Sequence, residues 1–245
     1  HNAIHANSEA IGIAHNKQLT YIPGIEIDCI YNGINLHVLG YNIDWRSPIF
    51  EKLEIDVECK VMNAFDKMID NVLSLGFKVD KNDVLHQANG ELPSAELIAE
   101  VMLGNKEYHT PQLQPYMQGG ARSDMPYINF YLDYFAQGKP AFVPIEYISF
   151  AHAIDIIKDT GGIPVVAHPG LNLNGQEEIA GELLANGALG LEVFNNYHSM
   201  EQIDYFAGLV KQTGTLMTCG SDFHGKTKPL IHIGEYKYKE EYDSY

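Results

Sequence analysis

From residue 149 onward the chain alternates helix-like and strand-like segments in a fixed order, and this limits the possible fold more than any other feature. Ser149 is placed to cap a helix through Thr160, with Gly161-Gly162 as its break. Ile163-Pro164-Val165-Val166-Ala167 follows, a wholly apolar run of the kind that forms a buried parallel strand, and it ends in His168-Pro169-Gly170. A helix from about Gln176 to Asn186, stopped by Gly187, leads to a strand from Ala188 to Phe194 whose exit carries Asn195-Asn196-Tyr197-His198. Ser199 with Gln202 makes a capping box for the next helix, which Gly214 closes. The last run, Thr215 to Gly225, is β-prone and ends in Asp222 and His224. The succession β-α-β-α-β predicts an α/β fold with a parallel sheet, and such folds keep their chemistry at the carboxyl edge of the strands. His168, His198, Asp222 and His224 all fall there. In an extended chain, period two would point Asp222 and His224 the same way, while Gly220 and Gly225 allow close backbone approach. The pair reads as half of a metal site; the plainer alternative is an Asp–His hydrogen bond at a strand end.

The first fifty residues add a hairpin. Ala3 to Lys17 has helix-like spacing of Ile4, Ile11 and Ala14, and Leu19 to Asp28 and Ile34 to Tyr41 read as strands. Asn32-Gly33 between them is a strong two-residue turn signal. With a type I′ turn, Tyr31 faces Ile34 and Asp28 lies opposite His37. Glu26 and His37 then share a face on the diagonal, with Cβ atoms ~7–8 Å apart, close enough to converge on one ion. An Asp28–His37 pair on a solvated face is the alternative the hairpin leaves open. Ile25, Ile27, Leu36 and Val38 occupy the opposite face and need a core.

Between these halves the texture is helical. Leu53, Val57, Val61, Phe65, Met68 and Val72 recur at threes and fours, so Glu51 to Leu75 is an amphipathic helix that Gly76 stops. A polar connection follows, then a helix from Ala95 to Leu103 capped by Ser94, a Gly-, Pro- and Gln-rich loop, and a helix from Tyr127 to Gln137. Residues 51–147 therefore read as a helical insert or cap in a β/α domain made of 1–50 and 148–245. His86 and His109 take surface roles there, and Arg122 is the insert's candidate for reaching a substrate anion.

With 16 Lys and Arg against 32 Asp and Glu, the formal charge of −16 argues against a nucleic-acid backbone or an anionic membrane as partner. If the substrate is a phosphate, bound divalent cations must supply positive charge. Three scattered cysteines suit a reducing, cytoplasmic setting, and no segment approaches the ~20 apolar residues needed to span a bilayer. The sequence opens at His1 without an initiator Met, so an upstream targeting segment stays open.

Pro23-Gly24-Ile25-Glu26-Ile27, His37-Val38-Leu39-Gly40-Tyr41, Ala167-His168-Pro169-Gly170 and Gly220-Ser221-Asp222-Phe223-His224 resemble the successive motifs of the PHP (polymerase and histidinol phosphatase) superfamily. His1-Asn2 resembles the end of that family's Thr-Asp-His-Asn element. The resemblance implies a distorted seven-stranded β/α barrel with two or three divalent metals (Mn, Zn or Fe) at the carboxyl ends of its strands. It also implies the branch with a helical insert, whose members are small-molecule phosphoesterases, including nucleotide phosphatases. By the same resemblance Glu26 bridges two metals, His37 and His168 complete one of those ions, Asp222 binds the first metal, and His224 with His1 binds a third. The family's opening His-x-His has no counterpart here, and the expectation is that it and the first strand lie upstream of His1. The alternative is that this protein lacks that metal site. Family members with a basic residue after Ala-His-Pro-Gly differ from this chain, which has Leu171-Asn172.

The expected reaction is hydrolysis of a small phosphomonoester, a nucleotide being one candidate, by a metal-activated hydroxide, with Glu26 and Asp222 holding the ions. His198 is a candidate phosphate donor or leaving-group acid. The competing reading is a non-catalytic metal- or ligand-binding module built on the same barrel.

Overall fold

The structure is a computed structural model that describes residues 1–242. It divides into two compact units: His1–Ile55 with Tyr147–Ser221 and the stretch from Gly234, and Asp56–Glu146 with Asp222–Ile233.

The first unit is built on a six-stranded mixed sheet. Its strands are β1 (Gly24–Tyr31), β2 (Ile34–Tyr41), β3 (Ile148–Ser149), β4 (Ile163–Val166), β5 (Gly190–Phe194) and β6 (Leu216–Cys219), in the order β3-β1-β2-β4-β5-β6. The hairpin register is the one that the turn dictates. Asn32 and Gly33 adopt φ of 49° and 82°, the left-handed pair of a type I′ turn, Tyr31 pairs with Ile34, and Asp28 pairs with His37. Ile27, Leu36 and Val38 are fully buried, while Glu26, Asp28 and His37 stand on the other face. β4 is antiparallel to β2 and parallel to β5, and β5 is parallel to β6.

Of the helices in this unit, α1 spans Ala6–Lys17 and α2 starts at Pro48 and runs to Ser74, so that it enters the second unit at Asp56. Three more α-helices lie in the second unit's span of chain, so the next helix of the first unit is α6 (Phe150–Asp159), followed by α7 (Pro169–Asn172), α8 (Ile179–Ala185) and α9 (Met200–Thr213). The Ser149 hydroxyl accepts from His152 N at the start of α6, and the capping box of Ser199 with Gln202 forms at α9. Helix α6 packs on β1, β2 and β4, burying Phe150 and Ile157 on the apolar face of the hairpin. Helix α9 packs on β5 and β6.

The second unit holds the rest of α2, then α3 (Lys81–Ala88), α4 (Ala95–Gly104) and α5 (Pro126–Phe130), which continues as a turn of π-helix, Tyr131–Phe135. Phe65, Ile98, Met102, Leu113 and Phe130 are its buried centre. The polar connection expected after α2 in fact carries α3. Asp80 caps it by accepting from Asn82 N, and only Val84 and Ala88 are buried, too few to show a helical period in the sequence. Leu19–Pro23, read as the start of a strand, stays outside the sheet, whose first strand begins at Gly24. The tyrosine-rich tail from Tyr236 carries, through residue 242, a 3₁₀ turn at Glu240–Tyr242, and Asp243 to Tyr245 lie outside the described residues. No helix among the described residues is long and apolar enough to cross a membrane.

Two glycines test the backbone account in opposite directions. Gly33→Ala, at φ 82°, forces a side chain into the left-handed region and lowers unfolding free energy by ~1–2 kcal/mol. Gly12→Ala, on α1 with open space around its Cβ position, raises it by ~0.5–1 kcal/mol. Urea unfolding of both variants measures the signs.

Candidate metal centre

Strands β1 and β2 and the exit of β4 bring three side chains to one point in the first unit. Glu26 Oε1 lies 2.9 Å from His37 Nδ1 and 3.3 Å from His168 Nε2, and these two nitrogens are 3.3 Å apart. A cation with bonds of ~2.0–2.1 Å separates adjacent ligand atoms by ~2.9–3.4 Å, so this triad has the spacing and the donor chemistry of half a metal shell.

The tautomers agree. His168 Nδ1 is 2.6 Å from Asn172 Oδ1, an oxygen that only accepts, so Nδ1 carries the proton and the Nε2 lone pair faces Glu26 and His37. Asn172 is held in turn by donating Nδ2 to the Asn35 carbonyl at 3.3 Å. His37 Nε2 is 3.2 Å from Asp28 Oδ1 and Nδ1 is 2.9 Å from Glu26 Oε1, so either carboxylate can accept from the ring, and with a cation at the triad Asp28 would hold the proton on Nε2. His37 therefore has both hairpin carboxylates in contact, Glu26 on one ring nitrogen and Asp28 on the other.

His1 joins from the other side. Its Nδ1 is 2.7 Å from Asp28 Oδ1 and its Nε2 is 3.3 Å from Glu26 Oε2, so His1, Asp28 and His37 form a second group with ligand geometry. Asn2 fixes this corner by donating Nδ2 to Asp28 Oδ2 at 2.7 Å and accepting from Asp28 N at 3.0 Å. Burial alone would raise the Glu26 carboxyl, but the charge of His1, with the His168 and His37 rings beside the carboxylate, outweighs it and holds Glu26 well below its ordinary range. Asp28 is lowered in the same way, burial being outweighed by His1.

Of the remaining sequence candidates, His198 is fully buried with both ring nitrogens in use. Nδ1 donates to the Val193 carbonyl at 2.8 Å and Nε2 accepts from Gly170 N at 3.0 Å. Burial pushes its pKa down, so the ring is a neutral brace between the exits of β5 and β4 rather than the proton donor expected from sequence.

Asp222 and His224 belong to the second unit. The strand ends at Cys219 and Asp222 has φ 53°, so the period-two argument that set them on one side of a strand does not hold. They meet instead through the turn: His224 Nδ1 is 3.3 Å from Asp222 Oδ1, and Lys228 forms an ion pair with the same carboxylate. Arg122, also in the second unit, spends its guanidinium on Asp133, with Nε to Oδ2 and Nη2 to Oδ1 both at 3.0 Å. Tyr116 donates to the same carboxylate at 2.7 Å, so Arg122 serves as an internal tie.

Sequence reasoning left out Asn172, Asn2 and Glu192. Asn172 stands four residues after His168, a spacing that Pro169 makes helical at once, and that signal was available. Asn2 and Glu192 had none, because their partners lie 26 and 24 residues away.

An α/β sheet whose strand ends gather His and carboxylate side chains has the donor chemistry of a metal site. No family model matches the chain. It is 26% identical over 220 residues to the 5′-3′ exoribonuclease Rnm of Escherichia coli, covering 88% of this chain and 69% of that one. It is 23% identical over 230 residues to the 3′,5′-nucleoside bisphosphate phosphatase of Chromobacterium violaceum, covering 91% and 74%. The crystal structure of a candidate metal-dependent phosphoesterase from Bifidobacterium adolescentis shares the fold, with a TM-score of 0.76, 24% identity, and 98% and 80% of the two chains covered. These relatives, named as an exoribonuclease, a nucleoside bisphosphate phosphatase and a metal-dependent phosphoesterase, agree with the resemblance of the ordered motifs to the PHP superfamily of phosphoesterases.

The neutral brace has a pH signature. The folded pKa of His198 lies below its ordinary 6.5, so as pH falls through 6.5 the unfolded chain takes up a proton that the folded chain refuses. This part of the stability is complete above pH 6.5 and is lost on acidification toward the folded value. Comparing denaturant midpoints from pH 8 to 5, His198→Gln flattens the acid-side decline relative to the wild type.

Proposed function

We propose that the chain is a metal-dependent phosphoesterase that hydrolyses a small phosphorylated metabolite, with a nucleotide phosphomonoester the leading candidate. The observation that carries this is the convergence of Glu26 Oε1, His37 Nδ1 and His168 Nε2 within 3.3 Å of one another. The relative named as a nucleoside bisphosphate phosphatase supports the substrate class.

In this reading Glu26, His37 and His168 would hold one divalent ion, and Glu26 with His1, which faces its other carboxylate oxygen, would help to hold a second. Two or three ions of Mn, Zn or Fe, when bound, bring a water's pKa near neutrality and neutralise phosphoryl charge. The chain's own residues do the arranging. Asp28 and Asn172 fix the tautomers of His37 and His168, and His1 keeps Glu26 and Asp28 ionised. Cations at this point also answer the charge of −16, which would otherwise repel a phosphate. Asp222 and His224 keep the ligand chemistry that the family resemblance implies, and each is tested by its own variant. The reading carries with it closure of the six-stranded sheet into a seven-stranded barrel and a reducing, cytoplasmic setting. The latter is supported by Cys29, Cys59 and Cys219 being free thiols.

A second reading has support from the exoribonuclease relative: the phosphate acted on is at the 5′ end of an RNA. The strongly negative chain disfavours a long backbone contact and leaves short oligonucleotides as its natural form.

The test is metal content together with phosphate release from nucleoside monophosphates, nucleoside bisphosphates and short 5′-phosphorylated RNA. Glu26→Ala, His37→Ala and His168→Ala each lose bound metal and at least ~100-fold in turnover. Asp222→Ala and His224→Ala lose activity if they are ligands and keep it if they serve only the turn. Nucleotide release without RNA degradation supports the first reading, and RNA shortening the second. A metal-loaded protein that releases nothing from any of them is the non-catalytic module.

A further inference from the structure

Glu192 is an acidic residue in the middle of β5, a strand whose five residues are all buried, and it is itself only 4% exposed. A buried carboxylate persists only where donors surround it. Here the donors come from the exits of its own strand and of the neighbouring β4. Glu192 Oε2 accepts from His168 N at 2.9 Å, at the exit of β4, and from Asn195 Nδ2 at 3.0 Å, at the exit of β5. Asn195 Nδ2 also donates to the Gly220 carbonyl at 3.1 Å, past the end of β6. Oε1 fills the place where a side chain at Gly220 would begin: a Cβ there would sit 1.9 Å from it. Gly220 is thus the residue that leaves room for the carboxylate.

The backbone of His168 needs such a hold. Its φ of 25° and ψ of 58° lie in a region that non-glycine residues seldom occupy, and Pro169 after it disfavours helical conformations further. The strained backbone aims the ring so that Nδ1 meets Asn172 and Nε2 meets Glu26 and His37. The bond from the His168 N–H to Glu192 Oε2, 2.9 Å long and shut away from water, is the contact that holds it.

We propose that Glu192 is a positioning residue for metal binding, acting through the His168 N–H to hold the His168 ring in its ligand pose. The proposal rests on the reading of Glu26, His37 and His168 as metal ligands. It makes no use of Glu192 as a ligand, base or proton carrier.

The experiment is Mn²⁺ and Zn²⁺ affinity by competition with a chromophoric chelator, with circular dichroism and thermal midpoints recorded on the same samples. The chains are wild type, Glu192→Ala, Glu192→Gln, Gly220→Ala, His168→Ala and the Glu192→Ala/His168→Ala double variant. Glu192→Ala weakens binding by ~10–100-fold. Glu192→Gln, which keeps a neutral acceptor, recovers part of that loss. Gly220→Ala, which displaces the carboxylate without removing it, weakens binding as well. In the His168→Ala background the Glu192 change has no further effect, because the residue through which it acts is gone. Folded Glu192→Gln and Gly220→Ala proteins with wild-type affinity would overturn the proposal, as would a Glu192 effect that persists without His168. A wild-type chain that binds neither metal overturns the metal-site reading itself, and this proposal with it.

Discussion

A slip of one residue in the pairing of β1 with β2 would turn Glu26, Asp28 and His37 into the core and bring Ile25, Ile27, Leu36 and Val38 out onto the site face. The Asn32-Gly33 turn prevents it by fixing the pairing of Tyr31 with Ile34, from which Asp28 opposite His37 follows. The apolar face then seals against Phe150 and Ile157 of α6, so burial and turn geometry select the same register. Everything else at the site is placed relative to this hairpin. β4 pairs with β2 and delivers His168 beside His37, and the Asn2 backbone donates to the Glu26 carbonyl at 2.7 Å, which draws His1 to the carboxylates.

The electrostatics of the site follow from that geometry. Glu26 and Asp28 are two residues apart on one strand face, where burial alone would favour their neutral forms. Imidazoles on both sides keep them ionised, and each imidazole is itself fixed by an acceptor behind it: Asp28 behind His37 and Asn172 behind His168. The arrangement presents lone pairs and negative charge to a single point. Such a point suits a cation far better than an apolar ligand or a bare phosphate, and it is the physical ground for reading the fold as a phosphoesterase.

Much of this was legible in the sequence because the signals were local. The hairpin register came from a two-residue turn and alternation, the helix starts at Ser149 and Ser199 from capping side chains, and the order of strands from apolar runs bounded by glycines. What escaped were features set by partners far along the chain. Asp222 and His224 looked like strand residues because the β-prone run continues to Thr218, but the chain leaves the sheet at Cys219 and turns with φ 53° at Asp222. His198 looked like a proton donor at a strand exit. Only the fold shows that Val193 and Gly170 occupy both its nitrogens. Arg122 reads as an anion grip in the sequence, but Asp133, eleven residues away, takes its Nε and Nη2. Glu192 read as one more residue of a strand, and its partners His168 and Gly220 lie in other strands' exits.

The central claim is that Glu26, His37 and His168 form a cation site, and it is tested most directly by crystals grown with Mn²⁺ and measured at the manganese absorption edge. The account predicts an anomalous peak ~2.0–2.3 Å from Glu26 Oε1, His37 Nδ1 and His168 Nε2 together. A map in which these three side chains stay hydrogen-bonded to one another with no peak among them, in crystals soaked to saturation, would contradict it.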